Sequence, residues 1–344
     1  MTAAARISPQ DVPDIPSLAA MREHVSRYEQ PDAKLAWFAF ATSLPPFVAT
    51  WWAMYAVHRQ SYLTALLLAF PAAGFLVRTF IVQHDCGHGT FFRSRRLRNA
   101  VGRLCSPITL LPYGYFRHFH GAHHAHSGNL DKRGADIETI TVREYKAMSP
   151  SKRCRYRFMR HPLVLFGIGP LVYFVVMMRL PAIAPIHWKR ERRSILYSNV
   201  VLAALVAAMI WLVGTRSFLL IQLPITMIAS TVGMWLFYVQ HQFEDTYWED
   251  GAGWDYRLAA LRGSSYYALP GVLAWFTGYI GYHHVHHLSP RVPSYRLVRC
   301  HRETDMFDNV PRITLIAGLR CARLALWDET SQRLVSFKAA RRGT

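Results

Sequence analysis

The chain has 344 residues, 51% of them hydrophobic, and a net charge of +19. This combination is unusual for a soluble enzyme and typical of a polytopic membrane protein, whose cytoplasmic segments are rich in basic residues. No nucleic-acid-binding motif accompanies the charge and the five cysteines form no C-x-x-C pair, so we expect no nucleic-acid partner and no cysteine metal site.

Four segments are long and apolar enough to cross a membrane, which takes about 20 helical residues. They follow a polar N-terminal segment without a cleavable signal peptide and comprise residues 35–57, 62–82, 195–214 and 218–239. Short links join them in two pairs, whereas the long connection between the pairs carries many arginines and lysines. The positive-inside rule therefore predicts that both termini and this connection face the cytoplasm.

Two further segments are interpreted differently. Residues 162–178 are apolar but short, and they contain Gly167, Gly169 and Pro170. We interpret them as interfacial or re-entrant, because a fifth crossing would separate the histidine motifs described next between two faces of the membrane. Residues 313–327 have apolar positions at helical spacing and predict an amphipathic helix on an anionic membrane surface.

These elements predict an all-α integral membrane protein with four transmembrane helices. The corresponding domains are a cytosolic N-terminal segment (residues 1–33), a membrane domain (34–305), and a C-terminal amphipathic helix with its tail (306–344).

Eleven of the seventeen histidines fall into three short motifs, each close to an apolar segment. Imidazole is the commonest nitrogen ligand of iron, copper and zinc, and residues three or four apart share one helix face. One motif has the spacing H-x-x-x-H and the other two repeat H-x-x-H-H, which together give eight nitrogens, more than one metal accepts. We therefore predict two metals, held by His84, His88, His120, His123, His124, His283, His286 and His287, with His241 as a ninth ligand.

Other polar residues near these motifs are candidates for supporting roles. His118, His126 and His284 lie off the repeated spacing and are expected beside the metals or at the surface. Acidic residues nearby are suited to orient the imidazoles through their second ring N–H, the alternative being solvated surface carboxylates. These are Asp85, Asp131, Asp136, Glu244 and Asp245.

The ligand set restricts the metal. A catalytic zinc takes only three protein ligands, and the soluble di-iron carboxylate proteins use Glu-x-x-His motifs, of which this chain has none. A site of eight or nine histidines with two irons that activate dioxygen fits these facts, while copper stays open on ligand chemistry alone.

The order H-D-C-G-H, H-x-x-H-H, H-x-x-H-H resembles that of the membrane fatty acid desaturases. Longer stretches resemble the bacterial acyl-lipid desaturases: H-D-C-G-H-G-T-F-F, H-H-A-H-S-G-N-L-D-K-R-G, W-L-F-Y-V-Q-H-Q-F-E-D-T-Y-W and G-Y-H-H-V-H-H-L-S. The resemblance covers roughly residues 35–305. It implies four membrane helices and a cytosolic helical cap that holds a histidine-rich di-iron site, with the eight motif histidines as ligands. It also supports His241 as the ninth ligand and implies a multi-pass protein of the bacterial inner membrane with a cytoplasmic active site.

The implied reaction is oxygen-dependent introduction of a cis double bond into a lipid-linked acyl chain. Unactivated C–H bonds resist acid–base catalysis, so the metal cofactor supplies the oxidising power and the protein supplies orientation. We expect a channel lined by the first two membrane helices and by residues 266–282. The chain has no iron–sulfur, dinucleotide or haem motif, which predicts a separate ferredoxin-like electron donor whose acidic surface suits the basic cytosolic face.

Three alternatives remain at this stage. A membrane hydroxylase or ketolase would use the same type of site. A non-catalytic metal-binding or transport protein would carry ionisable residues within its spans, where this chain has little besides Arg78. A membrane-anchored structural protein with incidental histidines would bind no stoichiometric iron.

Overall fold

The computed structural model describes residues 16–133 and 137–342, and these residues are mostly helical. The helices are α1 Leu18–Ser26, α2 Ala33–Ala41, α3 Leu44–Val57, α4 Tyr62–His88, α5 Arg95–Thr109, α6 Tyr113–His126, α7 Val142–Ala147, α8 Pro150–Met159, α9 Gly169–Val175, α10 Lys189–Val213, α11 Thr215–Val239, α12 Tyr256–Leu261, α13 Gly271–Phe276, α14 His283–Leu288, α15 Ser294–Arg302, α16 Leu315–Cys321 and α17 Ala339–Arg342. The strands are β1 Ile140–Thr141, β2 Tyr266–Ala268, β3 Arg312–Thr314, β4 Leu324–Asp328 and β5 Arg333–Ser336.

Three helices of the described chain, α4, α10 and α11, are long and apolar enough to cross a membrane. The first predicted span, residues 35–57, is instead divided between α2 and α3. Pro45 and Pro46 lack the N–H groups that an uninterrupted helix would bond to the carbonyls of Ala41 and Thr42, so the helix ends and starts again. These apolar helices indicate a membrane protein. The expected count of four long spans stays a prediction.

The segment after α8 bends sharply. Val164–Ile168 forms a π-helical turn, α9 follows, and Met177–Arg179 ends the segment in a 3₁₀ turn. Together with α8 it is long and apolar enough for one span, but the two parts are bent by 55°. This bend is the geometry of a broken span or of a re-entrant loop, so the interpretation of residues 162–178 as re-entrant stays a prediction.

Helix α4 continues beyond its predicted apolar end at residue 82. It ends at Gly89, whose positive φ of 81° places it in the left-handed region that favours glycine, and whose N–H bonds back to the last turn. Since the helix is continuous from the apolar region to His88, it carries His84 and His88 on one face of its last turns.

The described chain is mostly helical, but the prediction that it is all α is wrong, because short strands also form two small sheets. Strands β2 and β3 pair in parallel, and β4 lies between β1, its parallel partner, and β5, its antiparallel one. The helix predicted over residues 313–327 covers only Leu315–Cys321. Beyond it, Ala325, Leu326 and Trp327 are all buried on a strand that bonds to residues far away in sequence, and this pairing overrides the helical spacing.

The membrane helices pack around α4. Buried side chains of α3, α4 and α11 form one apolar cluster, which includes Trp51, Met54, Ile221 and Ile225. A second cluster joins the end of α4 and the end of α11 to α1, α14 and α15. The helices that carry the histidine motifs are therefore fixed to one another by buried apolar contacts on the same side of the molecule.

We predict that Gly102→Ala lowers the thermal stability of the purified protein. A Cβ at Gly102 of α5 would lie 2.3 Å from Cε2 of Tyr113, and the Tyr113 hydroxyl is held 2.8 Å from the carbonyl oxygen of Cys86. Overpacking of this kind costs about 1–3 kcal/mol. The melting temperature in detergent measures the loss. Gly121→Ala is the control, because a Cβ there meets nothing within 4 Å, and equal melting temperatures for the two variants would contradict the prediction.

Candidate metal centre

Four elements bring nine histidines together: the end of α4, helix α6, the turn after α11, and the short helix α14. They form two groups, in each of which the candidate ligand nitrogens lie within 4.8 Å of one another. The first group is His84, His88, His120, His124 and His286, and the second group is His123, His241, His283 and His287. These are the nine residues selected from the sequence, and the prediction that they hold two metals stays a prediction.

The spacing of the ring nitrogens fits ligands that share a cation. In the first group, Nε2 of His120 lies 2.8 Å from Nε2 of His84 and 3.1 Å from Nε2 of His124. In the second group, the Nε2 atoms of His283 and His241 are 3.0 Å apart. Two nitrogens at the usual bond length of about 2.1 Å, at tetrahedral or octahedral angles, are separated by about 3.0–3.4 Å.

For His84 and His241, a hydrogen bond at Nδ1, the ring nitrogen that faces away from the other histidines, determines the tautomer. Nδ1 of His241 lies 2.9 Å from the carbonyl oxygen of Gly263, which can only accept, so Nδ1 carries the proton. Nδ1 of His84 lies 3.0 Å from Oδ1 of Asp85. In each residue the lone pair of Nε2 therefore points towards the other histidines of its own group. This is the arrangement of a metal-bound histidine. The other oxygen of Asp85 accepts the backbone N–H of Ser294 at 2.7 Å, which ties α15 to the site.

The site is dry. Eight of the nine histidines are buried and His88 is half-buried. Burial and the neighbouring imidazoles lower the pKa of five of these histidines, on α6 and α14, well below the usual value. These five are therefore neutral at pH 7 and able to bind a metal. They are His120, His124, His283, His286 and His287.

One ring nitrogen of the first group has no hydrogen-bond partner. Nε2 of His286 is buried and has none among the described residues. Buried polar atoms without a partner are costly and rare in native proteins. The donor set, its spacing and this orphaned nitrogen fit metal ions.

The remaining motif histidines lie outside both groups. His118 is exposed and contacts Glu191 and the ring of Trp188. His126 bonds to a carbonyl of its own helix, at Ala122. His284 is fully buried, but its Nε2 lies 2.9 Å from Nδ1 of His301, a contact that nothing in the sequence indicates.

Of the acidic residues that were predicted to orient imidazoles and that the structure describes, only Asp85 contacts a histidine of the two groups. Asp131 accepts the backbone N–H of Gly251 in a surface turn. Glu244 and Asp245 are exposed and pair with Arg333. The alternative of surface carboxylates therefore holds for these three, while Asp136 lies outside the described residues.

An apolar cavity of about 340 Å³ begins at the metal site and extends between the membrane helices. His84, His120 and His283 lie in its wall, and its other walls come mainly from α4, α6, α11 and the bent segment around α9. The prediction that the second membrane helix lines this channel agrees with the structure, because Leu76, Val77, Phe80 and Ile81 of α4 lie in the wall. Of the described lining, residues 266–282 contribute Ile280 and residues 35–57 contribute nothing, so the prediction for residues 35–57 is wrong. The bent segment packs against α11 and forms part of the wall instead.

The sequence model of the family described as "Fatty acid desaturase" matches residues 60–313, about three quarters of the chain. The chain belongs to this family. It is 43% identical over 320 residues to "Fatty acid desaturase" of Bacillus subtilis, covering 93% of this chain and 90% of that protein. It is 29% identical over 233 residues to "sn-1 acyl-lipid omega-3 desaturase (ferredoxin)" of Synechocystis sp., covering 64% and 61%. It is 28% identical over 251 residues to "Omega-3 fatty acid desaturase, endoplasmic reticulum" of Vigna radiata, covering 67% and 62%.

Family membership confirms the resemblance given by the histidine motifs. The chain is an enzyme, a fatty acid desaturase, and the readings as a non-catalytic metal-binding protein or a structural protein are set aside. The apolar cavity that reaches the histidine groups is therefore the candidate binding place for the fatty acyl chain of this desaturase.

We predict that Gly233→Leu shortens the acyl chains that this desaturase accepts. Gly233 of α11 lines the cavity, and a Cβ there meets nothing within 4 Å, so the larger side chain fills space instead of displacing neighbours. Each methylene excluded from the cavity lowers kcat/KM about fourfold, from about 0.8 kcal/mol of burial per methylene. Chain-length profiles of the products measure the change.

Gly167→Leu is the control for this prediction, because Gly167 is exposed, equally open at its Cβ position, and absent from the cavity wall. An unchanged chain-length profile in a folded Gly233→Leu protein would show that the acyl chain does not occupy this cavity.

Proposed function

We propose that this desaturase binds two iron ions, one in each histidine group, and uses dioxygen to introduce a cis double bond into the acyl chain of a membrane lipid. The observation that carries the proposal is the meeting of nine mostly buried imidazoles at the end of an apolar cavity. The proposed ligands are His84, His88, His120, His124 and His286 for one iron, and His123, His241, His283 and His287 for the other.

The iron pair, when bound, supplies the oxidising power that removal of two hydrogens from neighbouring methylenes requires. The residues of the chain supply position. His84, His120 and His283 form the inner end of the cavity, so an acyl chain that fills it lies against the metal site. Phe80, Phe116 and Phe237 add apolar wall near these histidines, which keeps water from the reacting methylenes.

A lipid-linked acyl chain is supported in two ways. The cavity is apolar and lies among the membrane helices, so a chain enters it without crossing water. The Synechocystis relative is by its name an acyl-lipid desaturase. We therefore propose an acyl-lipid, and not a soluble acyl thioester, as the substrate.

The proposed orientation puts the metal site and both terminal regions in the cytoplasm of a bacterial inner membrane. The packing of the terminal regions supports a common side. Nε2 of His24 in α1 lies 2.8 Å from the carbonyl oxygen of Cys300 in α15, and the Ser289 hydroxyl donates to Oε1 of Glu29 at 2.8 Å. The arginine-rich segments flank the same site, as the positive-inside rule requires of a cytoplasmic face.

We propose that electrons enter near His88 from a ferredoxin-like carrier. His88 is the one half-buried member of the two groups, and it lies in a surface depression together with Arg95, Arg98 and Arg117. The described lining of this depression contains no carboxylate. An acidic carrier fits such a basic surface, and the name of the Synechocystis relative includes ferredoxin.

Expression of the full chain in a bacterial host with saturated membrane lipids tests the reaction. We expect fatty acids with one new cis double bond in the lipid fraction, detected by gas chromatography with mass spectrometry, and none from the His124→Ala protein. Hydroxylated or keto products without a double bond would contradict the proposal and support the membrane hydroxylase alternative.

We predict that His241→Ala lowers the metal content of the purified protein by about one ion per chain, because it removes one of four proposed ligands of the second group. Elemental analysis measures the content. His118→Ala is the matched control, since His118 is exposed and contacts Glu191 instead of the groups. Equal losses in both variants, or no loss in His241→Ala, would show that His241 is not a ligand.

We predict that Arg117→Gln raises the KM for a reduced acidic ferredoxin roughly two- to fivefold and leaves kcat nearly unchanged, as loss of one exposed charge pair weakens docking. Arg96→Gln is the control, because Arg96 is an exposed residue of α5 outside the depression. Steady-state kinetics at low salt measure both variants. An equal rise for Arg96→Gln would mean that the depression around His88 is not the docking surface.

A further inference from the structure

A second cavity, of about 550 Å³, lies between α5, α6 and α10 and shares no lining residue with the apolar cavity. We name it the arginine groove after the five arginines in its wall, which are Arg95, Arg103, Arg117, Arg190 and Arg193. Arg95 and Arg117 also line the depression around His88, whereas Arg103, Arg190 and Arg193 lie outside that depression. Its described lining has no acidic residue, and no carboxylate in the described part of the chain pairs with these arginines. Five like charges around one groove repel one another, and an anion bound between them relieves this repulsion.

The polarity of the groove changes in steps along α10. Its lining residues on this helix follow helical spacing and therefore form one face, in the order Arg190, Arg193, Ser194, Tyr197, Ser198 and Val201. The order runs from charged groups through hydroxyl groups to an apolar side chain. On the opposite wall, Ser106 of α5 lies with its Oγ 3.3 Å from Oγ of Ser198, so the hydroxyl parts of the two walls meet.

The groove lies at the surface of the membrane region. Helix α10 begins with the K-R-E-R-R run and becomes apolar from Ile195 onwards, which places its arginines at the headgroup level. Beside the groove, Leu104, Leu196 and Val200 are each more than half exposed, as side chains that face lipid are. A ligand of the groove therefore has its charged end at the interface and its other end in contact with the hydrocarbon.

We propose that the arginine groove binds an anionic phospholipid, with the phosphate between the arginines of α5 and α10. The glycerol esters then lie beside Ser194 and Ser198, and the acyl chains pass over Val201. Charged, hydroxyl and apolar parts of the groove follow in the same order as phosphate, ester and hydrocarbon in such a lipid. Basic pockets between membrane helices commonly bind anionic headgroups in this way.

The lipid would hold α5 and α6 against α10. Helix α6 already contacts α10 closely, since the backbone N–H of Gly114 donates to Oγ of Ser194 at 2.9 Å. Because α6 also carries His120, His123 and His124, the bound lipid would support the position of the metal site without taking part in the reaction. The proposal needs only that the protein resides in a bilayer, and its test does not depend on the identity of the metal.

The test compares lipid retention. The full-length protein is reconstituted into vesicles of equal parts phosphatidylglycerol and phosphatidylcholine, extracted in neutral detergent, and its bound lipid is counted by mass spectrometry. The variant is Arg103→Gln with Arg193→Gln, and the control is Arg96→Gln with Lys189→Gln, which removes the same charge from the same two helices outside the groove.

Each arginine beside an anionic lipid contributes a factor of about five in binding, so we expect roughly 30-fold weaker phosphatidylglycerol retention by the groove variant and full retention by the control. Equal retention by both proteins, or an equal loss in both, would overturn the proposal. The proposal would also be overturned if the groove variant retained its lipid but reacted more slowly with an acidic ferredoxin, because the groove would then bind a protein partner.

A measurement on the unmodified protein makes the test independent of variant folding. Phosphatidylglycerol is expected to raise the melting temperature of the detergent-solubilised protein more than phosphatidylcholine does, and inorganic phosphate is expected to have no such effect. Equal stabilisation by the two lipids, or stabilisation by inorganic phosphate alone, would contradict a phospholipid site.

Discussion

The structure depends on holding neutral imidazoles so close together that their ring nitrogens face one another. When several Nε2 atoms lie about 3 Å apart in a buried group, an unprotonated Nε2 has nothing to donate, and lone pairs are left without a donor. Cations bound between the rings would offset the cost of this arrangement. If metals bind as proposed, folding and metal binding are coupled, because the packing that brings α4, α6 and α14 together also brings the ring nitrogens together.

The same packing determines where the apolar cavity meets the histidine groups. Helix α4 is continuous from the apolar cavity to His88, so one rigid element carries both a cavity wall and two of the proposed ligands. Asp85 on that helix accepts hydrogen bonds from His84 and from the backbone of Ser294, which links the histidine motif of α4 to α15. Such links place metals and substrate with the accuracy that selection among nearly identical methylenes demands.

Eight of the nine histidines could be selected from the sequence because their spacing is local: residues three or four apart on a helix share one face whatever the rest of the fold does. His241 was indicated by its position directly after the last membrane segment. The division of the nine histidines between the two groups could not be predicted from the sequence. His286 joins the motifs of α4 and α6, while His123 joins His241 and two members of α14, and this depends on how the helices cross. The bonds from Gly263 and Ser294 come from the backbone, which leaves no signal in residue type. The strand at Leu324–Asp328 depends on a partner, Ile140–Thr141, far away in the chain, so helical spacing was misleading there.

Elemental analysis of the full-length protein, purified without added chelator from cells grown with iron, tests the central claim most directly. The account predicts two iron ions per chain, with zinc and copper at trace level. Purified, folded protein that holds no iron, or that holds one stoichiometric zinc or copper in its place, would contradict the claim that the nine imidazoles hold an iron pair.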